Sequence, residues 1–295
     1  METEKNISFK DLTVVLVLYR STNLVLDLIK ELKNISIVIV DNGGNKNVID
    51  QIKEINIDLK IITQNKNLGY GRAINLAFQK IDTKYFVVLN PDLSIKENDI
   101  YKLLVKIDSD KNCAIAGPIT KPDKDFYGIF PEKGKNIRRN STEKKSSEIL
   151  DNKLIEGPVC VDVIKGCALM INSEIFRSIG MFNEKYFLFW EEIDLCRKIR
   201  KFKFSTMVFN DVIAYHNTSS SSKKDYFTFF IRAFHNELSP NIYFNANKFS
   251  SFLFYKLLKY IFRFFTYLFI FNFKKSIKNL AKFLAIFFYI FNSKL

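Results

Sequence analysis

Residues 249–295 contain no Asp or Glu, yet eight Lys or Arg are spread through them. Acidic residues are short over the whole chain as well, 31 against 45 Lys and Arg, for a formal net charge of +14. That imbalance implies an anionic partner: nucleic acid, an anionic membrane or a nucleotide-linked substrate. Cysteine is scarce. Cys113, Cys160, Cys167 and Cys196 include no C-x-x-C spacing, which argues against a zinc site or a disulfide framework and predicts buried cytosolic thiols. Histidine occurs only as His216 and His235. An apolar leader is absent too: Met1 to Lys10 is polar and charged, which predicts no signal peptide.

What is present is a regular alternation of elements. Thr13 to Leu18 is a continuous apolar, β-branched run that reads as a strand buried on both faces. Helical spacing follows over Leu24 to Leu32. Further strands read over Ser36 to Val40, Leu59 to Thr63 and Tyr85 to Leu89, with helices over Val48 to Ile55, Arg72 to Ile81 and Ile100 to Ile107. The repetition predicts an α/β fold with a mostly parallel, doubly wound sheet and right-handed crossovers. A short strand reads over Cys113 to Gly117. Residues 121 to 153 read as a long loop or lid. A strand near Cys160 to Val163 precedes Gly166 to Ile171. Ser173 is the expected cap of a helix that ends at Gly180. Phe204 to Phe209 and Val212 to Tyr215 read as two short strands around a turn.

Several strand ends carry chemistry. The strand Tyr85–Leu89 stops at Asn90-Pro91-Asp92, so Asp92 stands where open α/β sheets bind ligands. It is a metal and phosphate candidate, or simply a turn residue. Asp41, in Asp41-Asn42-Gly43-Gly44, suits the imide N–H of a pyrimidine base, or caps a turn. In the loop before Arg72, Gly69 and Gly71 allow close backbone approach and Arg72 offers a cation for phosphate. Gly69-Tyr70-Gly71-Arg72-Ala73-Ile74 is not a dinucleotide fingerprint. Ile74 occupies the third glycine position, and the loop follows the third strand rather than the first. Glu191, Glu192 and Asp194 lie beside Phe187, Phe189 and Trp190. Burial there suits proton abstraction near neutral pH; a charged helix N-terminus reads the same way. His216 completes a metal site with Asp92, or is structural. His235 packs or faces an acceptor.

The C-terminal stretch differs in character. Phe249 to Phe273 is aromatic, and its only charges, Lys256, Lys259 and Arg263, fall on one helical face. Lys274, Lys275, Lys278 and Lys282 precede the apolar run Phe283 to Phe291. A membrane span needs about 20 mostly uncharged apolar residues. The charged stripe favours an in-plane amphipathic hairpin on an anionic membrane over core helices, a partner interface or a single span. The basic excess sits with this apolar tail rather than with base-stacking residues, which predicts no nucleic-acid partner.

In order along the chain, these features resemble the family 2 glycosyltransferases of the GT-A fold, particularly a bacterial rhamnosyltransferase-like branch. Val17-Leu18-Tyr19-Arg20 is similar to that family's opening strand end, with Arg20 for the usual Asn. Val40-Asp41-Asn42-Gly43-Gly44 is similar to its VDNgS, with Gly44 for Ser. Asn67-Leu68-Gly69-Tyr70-Gly71-Arg72-Ala73-Ile74-Asn75 matches its N-x-G-x-a-x-a-x-N loop. Leu89-Asn90-Pro91-Asp92 resembles the lNPD form of its D-x-D site. Gly180-Met181-Phe182 through Arg197 matches vGgFde-fF-y-EDvDlc-R, and His216 with Ser219–Ser222 resembles H-x-x-x-S.

The resemblance implies an inverting transfer from a nucleoside diphosphate sugar, dTDP-rhamnose or a UDP-hexose, to a glycan or polyprenyl-linked acceptor in surface polysaccharide synthesis. Asp41 would hold the base, with Leu18 and Tyr19 lining its pocket. Asn67, Gly69 and Arg72 would lie near the nucleotide. Asn90 replaces the first acid of the D-x-D pair, so Asp92 and His216 would hold Mg²⁺ or Mn²⁺ on the diphosphate. Glu192 aligns with the family's base, Glu191 is the alternative, and Asp194 orients neighbouring residues or Arg197. The expected organisation is a catalytic domain over 1–240, with a nucleotide-sugar half at about 1–120 and an acceptor half at about 155–240. A basic aromatic helical region over 241–295 would hold the enzyme peripherally on the cytoplasmic side of the inner membrane. A non-catalytic sugar-nucleotide-binding or scaffold protein is the alternative, prompted by Arg20, Gly44 and Glu192.

Overall fold

The computed structural model describes residues 7–55, 58–121, 127–128, 130–131, 157–217 and 225–292. Most of the expected 121–153 loop, and Ser219–Ser222, lie outside these. The described residues form two compact units, one over Met1–Leu68, Arg72–Phe182 and Glu192–Ser222, the other over Gly69–Gly71, Asn183–Glu191 and Lys223–Leu295.

The first unit is built on a sheet whose strands run β3 (Leu59–Thr63), β2 (Ser36–Asp41), β1 (Leu12–Leu18), β4 (Tyr85–Leu89), β10 (Ala168–Asn172), β6 (Cys113–Lys121), β11 (Ser205–His216) and β5 (Leu93–Ser94), with β8 (Pro158–Cys160) on β11. The first four are parallel to one another, and β6 is parallel to β11. β10 runs antiparallel between β4 and β6. Every residue of β1 and β4 is buried, as their unbroken apolar runs require when helices cover both faces.

One face takes Leu12, Val14, Leu16, Ile37, Ile39 and Val87 against α1 (Leu24–Glu31), α2 (Lys46–Lys53) and α4 (Glu97–Ser109). In α4, Ile100, Leu103, Leu104 and Ile107 repeat at i, i+3, i+4 and i+7 and are all buried. The other face carries an aromatic cluster. Phe86 of β4 lies 5.2 Å from Phe78 of α3 (Tyr70–Phe78) and 5.1 Å from Phe176 of α5 (Ser173–Ser178). Each buried aromatic contributes about 1.5–3 kcal/mol of apolar transfer.

Four expectations are corrected. Asn172, not Ser173, caps α5: its side chain accepts the Ile175 N–H at 3.1 Å, while Ser173 Oγ donates to the Thr83 carbonyl. The two short strands expected over 204–215 are one strand, β11, whose pairing with β6 shifts register between Phe209 and Ile213. Asn210 and Asp211 read as a turn in isolation; pairing on both sides of a bulge keeps them extended. The strand expected near Cys160–Val163 is two pieces, β8 and β9 (Val163–Ile164), the latter paired with β7 (Tyr127–Gly128). All four cysteines are thiols, but Cys160 is exposed, because β8 is a mostly solvent-facing edge strand.

The second unit contains α7 (Tyr226–Tyr243), α8 (Ser251–Phe269) and α9 (Phe273–Phe291) around a core of Leu238, Leu253, Tyr260, Ala285, Ile286, Tyr289 and Ile290. Glu237 of α7 is buried in it. Lys256 Nζ stands 2.7 Å from its Oε1, Lys282 Nζ 3.2 Å from its Oε2, and the Tyr260 hydroxyl donates to Oε2 at 3.0 Å. Burial alone would raise the Glu237 pKa, but the two ammonium groups outweigh it and hold the carboxyl below its usual range. No helix among the described residues is long and apolar enough to cross a membrane.

Candidate functional site

The carboxyl ends of β1, β2 and β4 place Leu18, Asp41 and Asn90 along one edge of the sheet in the first unit. At β2, Asp41 is buried and tied locally. Gly43 N–H donates to its Oδ1 at 2.9 Å, and Asn45 Nδ2 donates to the same atom. Asn45 also donates to the Leu18 carbonyl at 3.1 Å and accepts the Ser21 N–H at 2.7 Å. One buried amide thus locks the ends of β1 and β2 together. Nothing in the sequence marked Asn45 except its position four residues after Asp41.

Arg20 lies in this turn with φ 48°, a backbone region that Asn enters far more readily than Arg. Its N–H donates to the Gly43 carbonyl at 3.0 Å. Leu68 N–H reaches Asn42 Oδ1 at 3.4 Å, which brings the loop carrying Asn67 to the same edge. Arg72 is exposed in the first turn of α3, which holds no acidic residue. A guanidinium there has the wrong sign for the helix dipole and the right one for an anionic ligand.

Beyond β4, Asn90-Pro91-Asp92 makes a tight turn, with Leu93 N–H donating to the Asn90 carbonyl at 3.1 Å. The chain then enters β5, which pairs antiparallel with the end of β11 in the register His216↔Leu93. Asn217 N–H closes the arrangement on the Asp92 carbonyl at 3.0 Å. These bonds bring His216 Nε2 to 3.2 Å from Asp92 Oδ1, with the two side chains 6% and 1% exposed. β5 is two residues long, too short to show as a strand in the sequence.

The pair fits a divalent cation. Two cis ligands of an octahedral ion at 2.0–2.1 Å stand roughly 2.9–3.0 Å apart, close to this separation, and carboxylate plus imidazole suit such an ion. No cluster of three or more His, Cys, Asp or Glu that would hold a metal occurs among the described residues.

Helix α6 (Glu191–Lys201) brings the acidic residues. Glu192 packs on Gly166: a Cβ there would meet its Cβ, Cγ and Cδ at 3.5–3.7 Å. The next residue, Cys167, accepts the Asn90 N–H at 2.9 Å, so Glu192 belongs to the same sheet edge as Asp92. Asp194 Oδ1 is ion-paired with Arg197 at 2.6 Å. Asn75 of α3, the last residue of the Asn67–Asn75 loop motif, is buried and bonds both backbone polar groups of a single residue, Phe182. Its Nδ2 donates to the Phe182 carbonyl at 2.9 Å, and its Oδ1 accepts the Phe182 N–H at 3.0 Å.

In the second unit, Gly69 has φ 84°, and a Cβ on it would fall 2.2 Å from the Phe187 carbonyl oxygen. Tyr70 N–H donates to that oxygen at 2.9 Å. Phe189 and Trp190, immediately before Glu191, both have left-handed backbone, φ 65° and 73°. Such residues cost about 1–3 kcal/mol each and gather at functional sites. Packing on α7 holds them there: Arg232 lies over the Phe189 ring, Trp190 packs on Tyr243, and Ser239 Oγ donates to the Leu188 carbonyl. His235 stacks on Phe187 at 4.6 Å, and burial lowers its pKa to about 4.

Several known proteins are similar to this chain in sequence or in fold. A low-salt glycan biosynthesis hexosyltransferase of Haloferax volcanii is 25% identical over 70% of this chain and 67% of its own. A dTDP-rhamnosyl transferase of Shigella flexneri is also 25% identical, over 67% of this chain and 65% of its own. An N-acetylglucosaminyl-diphospho-decaprenol L-rhamnosyltransferase of Mycobacterium tuberculosis is 22% identical over 65% and 69%. The matches thus span about two thirds of these curated relatives. Among solved structures, the mannosyltransferase PcManGT of Pyrobaculum calidifontis, in complex with GDP-Man and Mn²⁺, superposes with a TM-score of 0.57 at 15% identity over 95% of this chain and 72% of its own. GalNAc-T7 with UDP, GalNAc and Mn²⁺ gives 0.55 at 15% identity over 70% and 42%. The fold is that of the GT-A glycosyltransferases. The profile described as Glycosyl transferase family 2 matches residues 13–176, more than half of the sequence, and the chain belongs to that family.

Proposed function

We propose that this protein is an inverting, metal-dependent glycosyltransferase. It moves a sugar from a nucleoside diphosphate sugar to a glycan or polyprenyl-linked acceptor in surface polysaccharide synthesis. The observation that carries this reading is the buried Asp92–His216 pair, 3.2 Å apart on the sheet edge that Glu192 shares. Two relatives named as rhamnosyltransferases, one of them as a dTDP-rhamnosyl transferase, favour dTDP-rhamnose as donor; one named as a hexosyltransferase supports transfer of a hexose, for which a UDP-hexose is the alternative donor. The decaprenol-linked acceptor in one of those names supports a lipid-linked acceptor here.

Asp41 binds the pyrimidine. Both of its turn bonds fall on Oδ1, and its second oxygen accepts the imide N–H. Leu18 and Tyr19 line that pocket. Asn67 and Arg72 meet the nucleotide, Arg72 as a phosphate cation. Asp92 and His216, with Asn90 beside them, hold Mg²⁺ or Mn²⁺; Mn²⁺ in the two solved neighbours supports the choice of ion class. When bound, the ion offsets charge on the departing diphosphate. Glu192 takes the proton of the acceptor hydroxyl as its oxygen attacks the anomeric carbon. The diphosphate leaves from the opposite face, so the configuration inverts. Glu191 is the alternative base, and the Asp194–Arg197 pair orients the start of α6. Residues 241–295 associate peripherally with the cytoplasmic side of the inner membrane.

A panel of dTDP- and UDP-sugars with Mg²⁺, Mn²⁺ or EDTA tests the reading. A true donor at a hundredfold excess over its Kd stabilises the fold by about 2.7 kcal/mol, visible as a thermal shift. Transfer that stops with EDTA is the expected result. Binding without turnover of any donor would reduce the protein to a sugar-nucleotide-binding scaffold, and no binding at all would sink the proposal.

A further inference from the structure

Helix α8 is apolar on two faces. Leu253, Leu257 and Tyr260 turn into the core of the second unit. A second row, Phe254, Leu258, Phe262, Phe265 and Phe269, follows the spacing 4, 4, 3, 4 that keeps residues on one side of a helix. These five are 45%, 70%, 72%, 59% and 86% exposed. On α9, Phe273, Leu284, Phe287, Phe288 and Phe291 are exposed as well. A soluble helix puts charge outside and apolar groups inside. Here Lys256 and Lys282 instead turn inward to the buried Glu237. Arg263, Lys274, Lys275 and Lys278 are exposed beside an outer surface of aromatic rings.

We infer that the outer row of α8 is a docking surface for an anionic lipid bilayer, entering the headgroup region as aromatic and leucine side chains rather than as the charged stripe. This deepens the peripheral-membrane reading above and rests on it. Three observations choose a bilayer over another occupant. An exposed aromatic patch of this extent marks an interaction site. No helix among the described residues is long and apolar enough to span, and a cationic helix with an outer aromatic row suits the plane of the interface. The stretch 249–295 carries eight cations and no acid, so a second copy would set like charges face to face, whereas an anionic surface is complementary. Because Glu237 neutralises part of the charge internally, ring insertion and not lysine contact supplies most of the attachment.

Co-flotation of the full chain separates the two contributions, using vesicles of phosphatidylcholine alone and mixed with phosphatidylglycerol. The wild type should float with the mixed vesicles and keep a substantial part of that binding in high salt. L258S/F262S/F265S should keep its Tm, since these side chains are exposed, and should lose roughly a hundredfold or more in partitioning, as each buried ring is worth at least about tenfold. K274Q/K275Q/K278Q should lose roughly fivefold per lysine on the mixed vesicles only. A wild type that floats with neither vesicle overturns the membrane reading itself. A wild type that floats while the serine variant floats equally well overturns only the assignment of the α8 face. If the wild type is a dimer that the serine variant converts to monomer, with flotation absent in both, a second copy covers the face and the inference is wrong.

Discussion

A Cβ on Gly44 would lie 2.8 Å from Arg20 Cγ, so the two positions are one contact in the turn that joins the ends of β1 and β2. They are also the two places where the opening motifs depart from the family's usual Asn and Ser. Arg20 fills the space that a side chain at 44 would need, so the departures compensate each other and are weak support for a protein that binds without turnover. Gly44→Ala should cost about 1–3 kcal/mol from the left-handed backbone and the overlap together. In an Arg20→Ala background the overlap disappears and only the backbone part remains. A double-mutant cycle by denaturant unfolding should therefore give a coupling of roughly 1 kcal/mol. Additive single effects would show that the contact carries no energy.

The Asp92–His216 pair predicts the metal dependence. Asp92→Asn and His216→Ala should each weaken Mn²⁺ binding in calorimetry and abolish transfer. The Asp92 backbone contacts to Asn217 and the β5 register do not involve its carboxylate, so Asp92→Asn should keep the fold, read as an unchanged far-UV spectrum. Retained transfer in either variant would move the metal elsewhere.

Asn75 predicts a positioning effect. Its amide matches both the N–H and the C=O of Phe182. Asn75→Asp keeps the acceptor but sets a carboxylate against the Phe182 carbonyl. Leaving a buried group without its bond costs about 1–3 kcal/mol, so stability should fall by that order. The Phe182 backbone that Asn75 holds leads along the chain toward Glu191 and Glu192 rather than toward Asp41 or Asp92. Donor Kd should therefore change little while kcat falls, as steady-state kinetics and thermal shift would together reveal.

His235 predicts an acid-side loss of stability. Its pKa is lowered from 6.5 to about 4 by burial, so the unfolded chain takes up the proton first as pH falls. Stability is fully present above pH 6.5 and declines down to about 4, by on the order of 3 kcal/mol at one pKa unit per 1.36 kcal/mol. Glu237, whose pKa is held down, loses its contribution at lower pH still, below the ordinary carboxylate value. His235→Phe preserves a ring against Phe187 and should flatten the Tm profile between those two values. An unchanged profile would assign the loss to another group.

Gly69 predicts an intolerant position. With φ 84° and a Cβ position 2.2 Å from the Phe187 carbonyl, Gly69→Ala must displace backbone and should cost more than about 3 kcal/mol, above the roughly 1–3 kcal/mol range of left-handed strain alone once overlap is added. Urea unfolding checks it.

Much of the first unit is legible in the sequence, because the parallel strands are covered on both faces. Their apolar runs are continuous and end abruptly in polar turns, so β1, β2 and β4, and with them Leu18, Asp41 and Asp92, are visible without coordinates. The amphipathic spacing of α1 and α4 is visible for the same reason. Contacts between residues far apart in the chain are not. The two-residue strand β5 carries no periodicity, yet its register sets His216 beside Asp92. Asn45 and Asn75 are ordinary polar residues until their amides are seen closing buried backbone groups. The charged stripe of α8 marks a surface helix in sequence, where a lysine is assumed to face water. Only the tertiary structure supplies Glu237, whose buried carboxylate draws Lys256 and Lys282 inward and leaves the rings outside. Local pattern determined the strands and their ends; long-range pairing and buried counter-charges decided which side chains meet.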